Sequence, residues 1–75
     1  MPSLLPFYEQ QFTIVENMLD SWINHRKLLE AEDEEPILLD EASQIIKNLQ
    51  LLQADLAIVI AAEQRRLEVE ASEQD

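Results

Sequence analysis

The 75-residue chain contains no cysteine and no glycine. Without cysteine, neither disulfide bonds nor thiolate zinc sites can stabilise the fold, so the core must come from side-chain burial or from another chain. Without glycine, two-residue hairpin loops and phosphate-binding loops are disfavoured, because they need backbone conformations that glycine adopts most readily. Since Ala, Leu, Ile, Gln and Glu dominate what remains, the composition predicts a single all-α domain.

Basic residues are also scarce: five Lys and Arg stand against sixteen Asp and Glu, which gives a net charge of −11 and a pI near 4.2. Such a surface repels phosphate backbones and anionic lipid headgroups, so we expect no binding to nucleic acid and none to membranes. The longest apolar run, Leu56–Ala62, is much shorter than the ~20 residues of a membrane span. The N-terminal segment has no basic region typical of a signal peptide, so we expect a cytoplasmic protein.

The chain divides at the acidic stretch Glu30–Pro36, in which five of seven residues are Asp or Glu. Pro36 disfavours helical geometry at the residue before it, and it suits the first turn of a new helix. A start of the second helix at Asp40 is the alternative. The stretch has neither the ligand spacing nor the glycine of a calcium-binding loop, so we interpret it as a solvated turn. The predicted elements are a first helix over about 6–31, an acidic turn over 32–36, a second helix over about 37–70 and a frayed tail over 71–75.

Apolar residues recur in alternating steps of four and three along both helices, a rhythm typical of left-handed helix packing. If the chain folds back at the acidic turn, the two series face each other in register, and the numbers of facing residues sum to 67 or 68. This predicts an antiparallel two-helix hairpin. Arg26 fills one gap in the series and faces Ala42, so its stem can lie along the seam while its guanidinium reaches solvent or Glu30. The predicted hairpin seam contains Tyr8, Phe12, Val15, Leu19, Trp22 and Leu29 on the first helix, and Leu38, Ile45, Leu49, Leu52, Leu56 and Val59 on the second.

The seam leaves further apolar residues without a partner. Leaving a large aliphatic side chain in water forfeits roughly 1.5–3 kcal/mol, and several such residues together rival the roughly 5–15 kcal/mol that stabilises a whole domain. We therefore expect association, most simply a C2 dimer of hairpins that forms a four-helix bundle. The predicted interface residues are Ile14, Met18, Ile46, Leu51, Ile58 and Ile60.

One tension leaves the geometry of association open. In the predicted register, the flank of helix 2 that carries Ile46 and Ile60 lies beside glutamates of helix 1. Ile14 and Met18 then open on the opposite side. A larger oligomer or a different protein partner could use either side.

No motif indicates catalysis or metal binding. The single histidine, His25, has Ser21, Trp22 and Leu29 at helical spacing, so the Glu-x-x-His pattern of di-iron bundles is absent. Trp22 is predicted to anchor the core, with an interface hot spot as the alternative. Because no nucleophile–base pair, nucleotide loop or zinc motif is found, we predict a protein that is not an enzyme, with no cofactor, metal or small-molecule substrate.

The sequence thus predicts a small acidic helical module for protein–protein interaction, which self-associates through its apolar faces as a homodimer or a higher homo-oligomer. Two other functions fit the composition. One is an acidic inhibitor that mimics nucleic acid in the basic groove of a target. The other is a chaperone or accessory subunit whose apolar faces are covered by a different chain of a larger complex.

Overall fold

A computed structural model describes residues 3–32 and 35–73. It contains two α-helices, α1 (Leu5–Ala31) and α2 (Pro36–Glu73), which pack against each other as an antiparallel hairpin about 62 Å long. The predicted all-α hairpin is confirmed. Helix α2 extends three residues beyond the predicted end. Of the predicted turn and tail, residues 33–34 and 74–75 lie outside the described residues.

Prolines mark the beginning of both helices. Pro6 lies in the first turn of α1, where the Leu5 N–H is bound by the Ser3 hydroxyl at 3.1 Å. Helix α2 begins at Pro36 itself, because the missing N–H of proline leaves no hydrogen bond unmade in a first turn. The alternative start at Asp40 is therefore wrong.

The buried core of the hairpin is small. Val15, Leu19 and Leu49 form its centre, and Trp22, Ile23, Ile45, Ile46 and Leu56 pack against this cluster while remaining partly exposed. Among the described residues no large side chain is fully buried, and the most buried apolar residue is Ala42 at 1% exposure. Two helices alone cannot enclose a side chain on all sides, so this hairpin has a one-sided core.

On α1 the face that meets α2 carries the residues that the seam prediction names. Val15, Leu19 and Leu29 are buried, while Tyr8, Phe12 and Trp22 are half-buried.

Arg26 lies along the same face of α1. Its Nε donates a hydrogen bond to Ser43 Oγ at 2.8 Å, and its Nη1 lies 2.7 Å from Glu30 Oε1. The predicted contact between the guanidinium and Glu30 is present.

On α2 the structure differs from the predicted seam. Leu38, Leu52 and Val59 are exposed, whereas Leu39 and Ile60 are half-buried. The predicted and observed stripes share Ala42, Leu49 and Leu56, and Ile45 of the predicted seam is half-buried and packs against the core. The difference lies in Leu38, Leu52 and Val59. Because α2 is apolar around most of its circumference, periodicity alone does not distinguish the two orientations. The observed stripe on α2 contains Leu39, Ala42, Ile46, Leu49, Gln53, Leu56, Ile60 and Glu63.

Candidate interaction surface

The two long sides of the hairpin carry different residues. On one side, Ile23 and Lys27 of α1 and Ser43 and Gln50 of α2 line a common groove. We call this the polar side. Each helix has one flank on either side of its seam. Because one flank of each helix lines the polar side, the other flank of each helix lies on the second long side of the hairpin. Near the hairpin's open end, this other side is marked by a groove, and its lining residues are Tyr8, Val59, Ala62, Glu63 and Arg66.

The second side carries an apolar face. Its residues are all more than a third exposed, with Leu52 at 47% and Met18 at 43%. Leu51 and Ile58 lie at its outer edge, and Ile58 is 67% exposed. Contiguous exposed apolar surface is a common feature of interaction sites. The apolar face consists of Phe7, Ile14, Met18 and Leu28 from α1 and Leu38, Leu52 and Val59 from α2.

Charge is segregated away from this face. From Phe7 to Leu28 the face positions of α1 between the apolar residues hold no Asp, Glu, Lys or Arg, and their polar residues include Gln11, Ser21 and His25. The charged residues of α1 fall in the seam or on the polar side. On α2 the face contains two acids, Glu41 and Asp55, both exposed. A chain of net charge −11 therefore presents one elongated side with little electrostatic repulsion. The polar-side charges of α1 are Glu9, Glu16, Asp20, Lys27 and Glu30.

The orientation of α2 divides the predicted interface residues into two groups. Ile14, Met18, Leu51 and Ile58 are exposed. Ile46 and Ile60 are half-buried on the side of α2 that faces α1, and their role as interface residues stays a prediction. The same orientation moves Leu38, Leu52 and Val59 from the predicted seam to the surface. The surplus apolar residues of both helices consequently lie on one side, and the tension in the predicted register disappears.

At the open end of the hairpin, Glu63 joins the two helices. Its side chain is only 7% exposed, and its Oε2 accepts a hydrogen bond of 2.9 Å from the backbone N–H of Leu4. Leu4 has no capping side chain of its own at the start of α1. A carboxylate from α2 thus satisfies a free N–H at the positive end of the α1 dipole.

Arg66 holds the Glu63 carboxylate in place. Its Nε and Nη2 donate to the two oxygens of Glu63 at 2.5 and 3.0 Å, and its Nη1 donates to Glu70 at 2.5 Å. The hydrogen bond from Arg66, followed by that from Leu4, lowers the pKa of Glu63 to about 2. The same hydrogen bond, which the Glu63 carboxylate accepts, raises the pKa of Arg66 above its ordinary value. This bidentate geometry fixes both side chains.

Sequence reasoning missed the contact between Glu63 and α1. The register rule contained the signal, because the numbers of Leu4 and Glu63 sum to the same value as the seam pairs. A search for periodic apolar residues does not identify Glu63 as a seam residue, because its side chain is a carboxylate.

Trp22 and His25 form the main aromatic contact near the turn end. Their rings pack edge to face, with centroids 5.4 Å apart, and with Ser21 they line a shallow depression. Within residues 3–32 and 35–73, no group of three or more His, Cys, Asp or Glu side chains is placed to hold a metal ion.

By length and composition, α2 contains a segment, between Pro36 and Ser72, that is apolar enough to cross a membrane. Isolated charges such as Asp55 interrupt this segment, so the length of uninterrupted apolar runs in the sequence does not reveal it. Little of the segment is buried in the hairpin, because it includes the α2 half of the apolar face.

Comparison with protein-family models, with curated proteins and with solved structures gives no match to this chain.

Proposed function

We propose that the protein is a helical interaction module that binds protein through its apolar face, and that its first partner is a second copy of itself in a four-helix bundle. The observation that carries this proposal is the segregation of surface: exposed Ile14, Met18, Leu52 and Val59 on one side, and most charges of α1 on the other.

The small core supports the proposal energetically. Each half-exposed face residue gains roughly 1 kcal/mol when a partner covers it. Both copies contribute their residues to a symmetric interface, so every contact of this kind is made twice. A standard interface covers about 800 Å² per partner, which is about one-seventh of the 5841 Å² surface of the hairpin.

A protein partner is favoured over a lipid bilayer by the residues within the apolar segment of α2. Asp55 lies near its middle, together with Asn48, Gln50 and Gln53. One carboxylate at the centre of a bilayer costs about 2.5–3.5 kcal/mol on insertion scales, and the surrounding acids repel anionic lipids. The acidic side chains remain hydrated when the apolar face meets a second hairpin.

Sedimentation velocity between about 1 and 100 μM tests the proposal, with Leu52→Gln as the disruptive variant. Loss of two buried leucines per dimer is expected to weaken association by roughly tenfold or more. Ala54→Gln, which places the same amide on an exposed position away from the face, is the matched control and should dimerise like the unmodified chain.

A folded monomer at every concentration would contradict self-association. Flotation of the chain with phosphatidylcholine vesicles would assign the face to lipid instead. Aggregation of the isolated chain, relieved only by co-expression with another protein, would assign it to a heteromeric complex.

A further inference from the structure

We infer that the second copy lies end for end against the first, so that the last turns of α2 from each chain cover the apolar turn end of the other. This inference rests on the proposed self-association and specifies its geometry.

The two helices differ in length, and the excess lies at one end. Helix α2 has 38 residues and α1 has 27, and the hydrogen bond between Leu4 and Glu63 marks the level at which α1 begins. Residues 64–73 of α2 therefore extend beyond α1. We call them the overhang. At about 1.5 Å per residue the overhang is about 15 Å long, and its Val69 is exposed on the side of the apolar face.

The turn end of the hairpin offers a complementary surface. Leu28, Ile37 and Leu38 are all exposed there, within one helical turn of the bend. The exposed polar residues Ser21, His25 and Asn48 lie between this patch and the central part of the apolar face. It is therefore a second apolar region, and it too is stabilised when a partner removes it from water.

A twofold axis at the middle of α2 brings the two regions together. The midpoint of Pro36–Glu73 lies beside Asp55. An axis there, perpendicular to the helices, lays the two α2 helices antiparallel along their whole length. It places residues 64–73 of one copy over residues 36–45 of the other, and it brings the central parts of the two apolar faces together around Leu52.

Charge selects this arrangement over the parallel one. The turn carries five acidic residues between Glu30 and Glu35, whereas the overhang carries two Arg and three Glu, a net charge of −1. A parallel dimer would bring the two acidic turns within a Debye length of about 8–10 Å, where salt does not fully screen their repulsion. The antiparallel dimer separates the turns by the length of the molecule, sets each turn against an overhang of much lower charge, and moves Arg65 towards the turn end of the partner.

Electron–electron distance measurement on a spin-labelled Ser72→Cys variant tests the orientation directly, because the chain has no other cysteine. The antiparallel dimer predicts a separation of roughly 50 Å between the two labels, from a rise of about 1.5 Å per residue over 35 positions. A parallel dimer predicts less than about 25 Å. A short distance would overturn the inference while leaving self-association intact, whereas absence of any dimer would contradict the proposed function itself.

Charge reversal gives a second, independent measurement. Arg65→Glu is expected to weaken the dimer by roughly two- to fivefold, the effect of an exposed ion pair. Lys47→Glu makes the same change in net charge on a position that points away from the face, and it should shift the dissociation constant less. Equal effects of the two variants would contradict the placement of Arg65 near the partner's turn.

Discussion

At the scale of single residues, Glu63 shows how a charged side chain can serve a seam that is otherwise apolar. It occupies a buried seam position of α2, and it joins Arg66 on its own helix to the N–H of Leu4 at the start of α1. A leucine at this position would add apolar contact but would leave that N–H without its carboxylate. Glu63 thus fixes the level at which α1 begins against α2.

The lowered pKa of Glu63 predicts a specific pH dependence of stability. A carboxyl group whose pKa is lower in the folded state stabilises the fold above its unfolded pKa of about 4.3 and loses that contribution as pH falls towards the folded value of about 2. We expect Glu63→Gln to lower the thermal midpoint at pH 7, with the difference from the unmodified chain shrinking between about pH 4.5 and pH 2. Circular dichroism melts over this pH range measure it.

Glu68→Gln is the control for this prediction. It also removes one negative charge from the acidic chain, but Glu68 is exposed, so the difference between the two variants reports the contribution of the Glu63 hydrogen bonds. If the two variants show the same pH profile, the hydrogen bonds of Glu63 do not stabilise the hairpin.

Asp55 is the charged residue nearest the centre of the apolar face. It is exposed in the single hairpin, and the proposed twofold axis brings it close to its own counterpart. Because like charges at an interface oppose association, we expect Asp55→Asn to tighten dimerisation by roughly three- to tenfold in sedimentation equilibrium. Asp20→Asn removes the same charge on the polar side of α1 and should have a smaller effect. A weaker dimer in Asp55→Asn would exclude the proposed axis.

At the scale of elements, the orientation of α2 about its own axis determines which apolar residues are exposed on the hairpin. Two stripes on it, one with Leu39, Ile46 and Ile60 and one with Leu38, Leu52 and Val59, are both apolar enough to face α1. The fold half-buries the residues of the first stripe and leaves Leu38, Leu52 and Val59 exposed. The rest of the apolar face on α1 lies on the same side as the second stripe.

This orientation of α2 predicts different roles for Leu49 and Leu52. Leu49 is buried in the core cluster, so Leu49→Ala should lower the free energy of unfolding by about 2–4 kcal/mol. Leu52→Ala should cost the dilute hairpin less than about 1 kcal/mol and should instead weaken association. Urea denaturation at two protein concentrations distinguishes the two effects. A large loss for Leu52→Ala in the monomer would mean that the originally predicted seam is the correct one.

At the scale of the whole molecule, the hairpin is long and thin, with dimensions of 62 × 14 × 14 Å. Such a shape has a high ratio of surface to volume, and a chain of this size buries a smaller fraction of its surface than a larger domain does. Association is one means by which small proteins without disulfides supplement a core of this size.

Folding and association are therefore expected to be coupled. The thermal midpoint should rise by about 3–6 °C for each tenfold increase in protein concentration, because binding of a second copy stabilises only the folded state. Calorimetry from about 5 to 500 μM measures this slope. A midpoint that is independent of concentration would identify a hairpin that is stable by itself.

The sequence by itself determined the all-α class, the two helices and the position of the bend. These follow from local causes: the absence of glycine, the steps of four and three between apolar residues, and the restriction that Pro36 imposes on the backbone before it. The antiparallel register also follows from the sequence, since residues such as Leu19 and Leu49 can face each other only if the chain folds back at the acidic turn.

Only the tertiary structure decided which stripe of α2 faces α1, and with it which residues form the exposed face. The local pattern is nearly equal for the two stripes, so the choice depends on contacts between residues far apart in sequence. Ser43 accepts a hydrogen bond from Arg26 on the side of α2 that the observed rotation turns towards α1. Glu63 accepts one from Leu4 and sets the level of α1 against α2. Periodicity contains no information about such polar contacts, because they involve single residues rather than a repeating pattern.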